Sequence, residues 1–160
     1  MTNSATQQLC LTRAERWLAG LDPYDLVSSA WRSGGIASIE AVAFDAISLH
    51  VTEVTAGIRG IKDEAAIEAH FVAAGITHGV IVTRTRTLYT VLVPPGSTRG
   101  WKEPGTSCIG RGRHTKFVAA PRSTRTSWPG GYWLLPAPDC PEQLSAPAKV
   151  RRLLRTGARP

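Results

Sequence analysis

Two short segments carry cations at spacings that suit phosphate chemistry. In Thr83-Arg84-Thr85-Arg86-Thr87 arginines alternate with threonines. In an extended strand both guanidinium groups project to one side, about 6–7 Å apart, with the hydroxyls on the other. That separation matches neighbouring phosphates; the competing reading is a solvated sheet face with two unpaired arginines. Gly110-Arg111-Gly112-Arg113-His114, with Lys116 close behind, places three cations and an imidazole in a glycine-bearing loop whose backbone can come near a ligand. Its plainer reading is an exposed hairpin tip, because neither a P-loop nor a dinucleotide fingerprint is present. Further on, Arg122, Arg125, Trp128 and Tyr132 interleave cations with aromatics, a composition that stacks unpaired bases while holding the backbone. Tryptophans such as Trp128 and Trp133 are more often core residues.

Residues for catalysis are fewer. Asp45, Glu53, Asp63, Glu64 and Glu68 are the central acids, and the last three fall on a solvated helix face. His50, His70, His78 and His114 lack H-x-x-x-H and H-E-x-x-H spacing, which argues against a histidine metal site. His70 reads as a satisfied core histidine rather than a base. No G-x-S-x-G nucleophile context occurs. Cys10, Cys108 and Cys140 form no C-x-x-C, so they are expected to be three small buried thiols, not zinc ligands or a disulfide framework.

Charge is distributed unevenly. Residues 1–80 hold five Lys/Arg against nine Asp/Glu, a net of −4, and residues 81–160 hold fourteen against three, a net of +11. The overall +7 therefore belongs to the second half, which would attract a phosphate backbone by counterion release. A basic surface kept for solubility, or an acidic protein partner, would account for the same charge. With 160 residues, 42% apolar and 19% charged, the chain fits one folded domain and excludes a collagen-like, coiled-coil or wholly disordered protein. No window approaches 18 consecutive apolar residues, and MTNSATQQLC lacks the order of a secretory signal; the expectation is a cytoplasmic protein with no membrane partner.

Positioning these residues requires a mixture of helices and strands. Apolar spacing predicts a helix over about 6–19, and Asp22-Pro23-Tyr24-Asp25 predicts a second, with Asp22 at N-cap, Pro23 at N1 and a stop at Gly34-Gly35. Val27 and Trp31 share its buried face. Val42, Phe44 and Ala46 alternate before a strand through Val51, and Lys62 to Ala74 reads as a helix closed by Gly75. Strands are expected at 78–82, 87–93, 106–109, 115–120 and 132–135, and a last helix from Ala148 to Arg155. Arg151, Arg152, Arg155 and Arg159 form its solvated basic side within a basic tail, 141–160. The order predicts an α+β single domain, residues 1–160, with one mostly antiparallel sheet and flanking helices.

Phe44-Asp45-Ala46-Ile47-Ser48-Leu49, a Gly-closed helix, Leu92-Val93-Pro94-Pro95-Gly96, Phe117-Val118-Ala119-Ala120-Pro121 and Gly130-Gly131-Tyr132-Trp133-Leu134-Leu135-Pro136 follow one another in that order. Over roughly residues 25–136 this order resembles the N-terminal domain of actinobacterial bifunctional DNA primase/polymerases. Active members of that family carry a D-x-D pair that holds divalent metal ions. Ser48 and His50 stand at the matching positions, and a hydroxyl and an imidazole do not replace two anionic oxygen ligands. The family's glycine-rich histidine segment falls near Thr83–Tyr89, which has neither glycine nor histidine.

The resemblance implies a non-catalytic DNA-associated accessory or regulatory factor, without cofactor, in replication or transfer of an actinobacterial plasmid or integrative element. Its expected nucleic-acid contacts are Arg84, Arg86, Arg111, Arg113, Lys116, Arg122, Arg125 and Trp128, with a replication or transfer protein as a further partner. One alternative is a minimal primase/polymerase using Mg or Mn with Asp45 and Glu53 as displaced ligands. Another is a protein-interaction scaffold that binds no nucleic acid.

Overall fold

The β-branched runs and the alanine-rich segment form the expected kinds of element in the computed structural model, which describes residues 10–20 and 25–156. In chain order the elements are α1 (Arg13–Ala19), α2 (Leu26–Arg32), β1 (Ala37–Glu40), β2 (Asp45–His50), α3 (Val51–Thr55), α4 (Glu64–Ala73), β3 (Val80–Val82), β4 (Leu88–Val93), β5 (Thr106–Ile109), β6 (Phe117–Ala120), β7 (Tyr132–Leu135) and α5 (Pro147–Arg155). Short 3-10 turns occupy Ser97–Gly100 and Pro141–Gln143. This is an α+β domain, and among the described residues no helix is long and apolar enough to cross a membrane.

Strands β5-β2-β4-β3-β7 form a five-stranded sheet, and β1 and β6 form a second, two-stranded one. Every pairing is antiparallel. The single sheet expected from the sequence is thus divided: β5 joins β2 and β6 joins β1, so Gly110–Lys116 connects two sheets and is not a hairpin tip.

Because side chains alternate across a strand, the five-stranded sheet has two distinct faces. Ile47, Leu49, Val91 and Val93 face α4 and α5, which contribute Ile67, Phe71, Val150 and Leu153 to a continuous buried cluster. Ala46, Ile81, Leu92 and Trp133 face the other way, under Leu18 of α1, Trp31 of α2, and Ile39 and Val118 of the small sheet. The Trp31 and Trp133 indole N–H groups donate to the Ala120 and Pro121 carbonyls, at 3.0 Å in each case, and so fix β6 and its exit against the first sheet.

Several local expectations change. Residues 6–9 lie outside the described set, and α1 starts only at Arg13 because Thr12 and Glu15 cap it reciprocally. Asp22 and Pro23 also lie outside it; Asp25, at φ 56°, occupies the α2 N-cap without a side-chain cap bond. Val51 opens α3 and does not extend β2, since His50 caps the new helix at Thr52. Gly75 does close the 64–73 helix region in a left-handed conformation, φ 90°. The basic tail is a docked helix: Val150 and Leu153 are fully buried, and Arg151 lies over Trp101 while pairing with Glu103 and the Gly100 carbonyl. Arg159 lies outside the described residues.

Candidate nucleic-acid interface

Between the two sheets lies a cavity of about 240 Å³. Ser48, Ile81 and Thr90 form its floor, Phe117 and Ala119 of β6 one wall, and Arg84 part of its rim. The register explains the hydroxyls on this floor. Ser48 faces Thr90 on β4 and Ser107 on β5, so a row of hydroxyls crosses three strands where the small sheet stops covering the larger one.

Arg84 and Arg86 do not alternate on a strand, contrary to expectation. The chain leaves β3 at Val82 and turns back into β4 at Leu88, closed by Thr83 N–H to Leu88 C=O at 3.1 Å and Arg86 N–H to Thr83 C=O at 2.8 Å. Threonine hydroxyls reinforce the turn: Leu88 N–H donates to Thr83 Oγ1 at 3.2 Å, and the Thr85 and Thr87 hydroxyls bond at 2.7 Å. Within it Arg86 adopts φ 58°, a left-handed conformation that costs a non-glycine residue about 1–2 kcal/mol. Its guanidinium carbon lies 5.2 Å from the Trp128 ring centroid. Trp128 is 54% exposed, so this cation–π pair is open to solvent and is not part of a core. Trp133, in contrast, is buried.

Arg111, Arg113 and Lys116 are exposed on the connection that leaves the cavity wall at Ile109 and returns to it at Phe117. Asp45 fixes the root of this connection: its Oδ2 accepts from the Thr98 amide at 2.9 Å, and its carboxylate packs against Gly110. Among the described residues none of Arg84, Arg86, Arg111, Arg113 and Lys116 forms an ion pair.

Arg122 and Arg125 have other work. Arg122 Nε and Nη2 donate to the two Glu15 oxygens at 3.0 Å each, and the Glu15 side chain is fully buried. Burial alone would raise the Glu15 pKa, but Arg122 and the Thr12 and Ser123 amides outweigh it and hold the carboxyl below 4.5. The Arg122 pKa is raised in turn, chiefly by its hydrogen bond to Glu15. Arg122, expected among the nucleic-acid contacts, is therefore the structural partner of Glu15. Arg125 donates to the Pro129 carbonyl within the loop that carries Trp128.

The acid pair required by the polymerase alternative is kept apart. Asp45 is buried beside Gly110 at one end of β5, while Glu53 lies beside Gly105 at the other end. Five residues of strand span about 16 Å, too far for both carboxylates to ligate the same ion. Ser48 faces the cavity, and the His50 ring caps α3 through the Thr52 amide at 3.3 Å. Among the described residues no three His, Cys, Asp or Glu side chains converge as metal ligands.

The thiols also differ from expectation, since Cys10 is exposed and Cys108 and Cys140 are only partly buried. Burial, followed by the Asp45 charge, pushes the Cys108 thiol up to about 11, which leaves it protonated and poorly reactive. His70 is less fully satisfied than expected, because its Nε2 is buried without a partner.

Phe117, Ile36, Thr90 and Ser107 gain importance only in three dimensions. Phe117 and Ile36 are 55% and 43% exposed, yet their local sequence reads simply as strand. The Thr12-x-x-Glu15 capping signature, however, was available to mark the true start of α1. No family model, curated protein or solved structure matches the chain.

Proposed function

We propose that the protein is a non-catalytic, DNA-associated factor that binds through the cleft between its two sheets. The observation that carries this reading is the set of five exposed cations on the β3–β4 turn and the β5–β6 connection, none neutralised by an acid among the described residues. Phosphates would meet Arg84, Arg86, Arg111, Arg113 and Lys116, and an unpaired base would stack on Trp128 beside Arg86. The primase/polymerase-like order of motifs supports a role in replication or transfer of a plasmid or integrative element, in the cytoplasm. The separation of Asp45 from Glu53 and the absence of the D-x-D pair favour binding over polymerisation.

Fluorescence-anisotropy titration with labelled single-stranded and duplex DNA at several salt concentrations tests this reading. Binding should weaken steeply with salt, and Arg84→Ala/Arg86→Ala should flatten the logarithmic salt slope by about two. An unchanged slope in the double variant, or no binding at low salt, overturns it.

A further inference from the structure

We propose that the outer edge of β6 is a strand-addition site for an extended segment of a protein partner, apolar at alternate positions and acidic at its flanks. The Ala41 N–H donates to the Lys116 carbonyl at 2.8 Å, in register with the β1–β6 ladder. Hydrogen-bonded and non-hydrogen-bonded pairs alternate in an antiparallel ladder. The Ile39/Val118 and Ala37/Ala120 pairs therefore bond to each other, and Phe117 and Ala119 turn their N–H and C=O groups away from β1. No backbone group among the described residues takes them.

Two donors and two acceptors thus recur at a two-residue interval along an open edge, the pattern that a pairing strand requires. Sheet edges are commonly guarded by proline, an inward charge or a covering loop. Lys116 and Pro121 flank this edge, but Phe117, Val118 and Ala119 between them are neither charged nor proline, whereas on the opposite edge the Glu40 carbonyl is already used by Val42 N–H at 2.9 Å. Below the β6 edge lies the cavity with Ser48 and Thr90 on its floor, which can receive side chains from alternate residues of an added strand.

Charge selects the occupant. Lys116 adjoins the edge, Arg113 and Arg111 precede it, and Arg84 lies on the cavity rim, so acidic flanks complement the site. A second copy pairing antiparallel through the same edge would bring these cations no acidic partner. The strand-addition reading does not rest on DNA binding, but it has a regulatory consequence: an acidic strand and a DNA phosphate backbone would compete for the same cations.

The full-length protein is tested by selection from a displayed random-peptide library, with Ala119→Pro as the comparison. Proline at residue 119 removes an outward-facing donor and leaves the β1 ladder intact. Wild-type protein should enrich peptides with alternating apolar residues and acidic flanks, and Ala119→Pro should weaken synthetic versions at least about tenfold with little change in melting temperature. N-methylation of alternate peptide amides should weaken binding to wild-type protein similarly, which preserves the test if the proline variant fails to fold. Failure of wild-type protein to enrich peptides, or peptides indifferent to N-methylation, overturns the proposal. Self-association through Phe117 and Ala119 overturns it in favour of a second copy. Loss of salt-sensitive DNA binding alone removes only the preceding reading.

Discussion

On one face of the five-stranded sheet Ile47, Leu49, Val91 and Val93 are fully buried beneath α4 and α5. On the other, Ala46 and Leu92 are buried, but Ser48 and Thr90 are half-buried and Ser107 is exposed. The same strands supply both faces through alternate residues, so the difference comes from what covers them. A closed face can contribute stability along its whole length, because each apolar side chain leaves water. The other face is covered only as far as the edge of β6, and there its residues change from apolar to hydroxyl. Stability and binding are thereby assigned to different residues of the same strands.

The largest expected effect is on the closed face. Phe71 is fully buried and packs on Tyr89 with ring centroids 5.6 Å apart; Phe71→Ala should destabilise by about 3–5 kcal/mol in urea unfolding. Glu15→Ala should cost about 3 kcal/mol in the same measurement, because it leaves Arg122 without its partner. A loss below about 1 kcal/mol would mean that Arg122 finds solvent instead, and would return it to the set of available cations.

Acid should separate the two regions by pH. Burial lowers the His70 pKa from 6.5, with the nearby Leu153 backbone opposing it. The unfolded chain therefore binds this proton more readily, and the His70 contribution, complete above pH 6.5, should be lost as pH falls through the lower folded value. The Glu15 contribution, present above 4.5, should disappear only in more acidic solution as pH falls through its own folded value. Thermal unfolding across this range should show both stages, with His70→Leu removing the upper and Glu15→Ala the lower.

Smaller effects belong to the cleft. Trp128→Ala should weaken single-stranded DNA binding by about 1–3 kcal/mol while leaving the unfolding midpoint nearly unchanged, as measured by anisotropy and melting curves. Ser48→Val should alter stability by no more than about 0.5 kcal/mol. A cost well above that would indicate that the hydroxyl row is part of a closed core, and would erase the contrast between the two faces.

Elements with strong local signals were legible in the sequence. The helix closed by Gly75, strands β3, β4 and β7, and the Val27/Trp31 face of α2 follow from periodicity and punctuation over a few residues. The division into two sheets did not, because pairing β5 with β2 and β6 with β1 depends on contacts across about sixty to eighty residues of chain. The alternating pattern at Arg84 and Arg86 was misleading for a local reason: threonine hydroxyls that favour strands also hydrogen-bond a turn. Arg122 could not be distinguished from the other second-half cations until Glu15 was brought beside it from the first half. The candidate site was therefore only partly legible: its cations could be named from the sequence, but not which of them remain available, nor that the cavity adjoins an open strand edge.

Gly110 has a consequence for sequence drift. Any larger residue there would collide with the Asp45 carboxylate, which also holds the Thr98 amide. The positions that follow, 111–116, project outward and are almost free of such contacts. Variation can therefore recode the charge and length of this segment while its anchor stays fixed, so that affinity for an anionic partner can be retuned through mutation without renegotiating the fold.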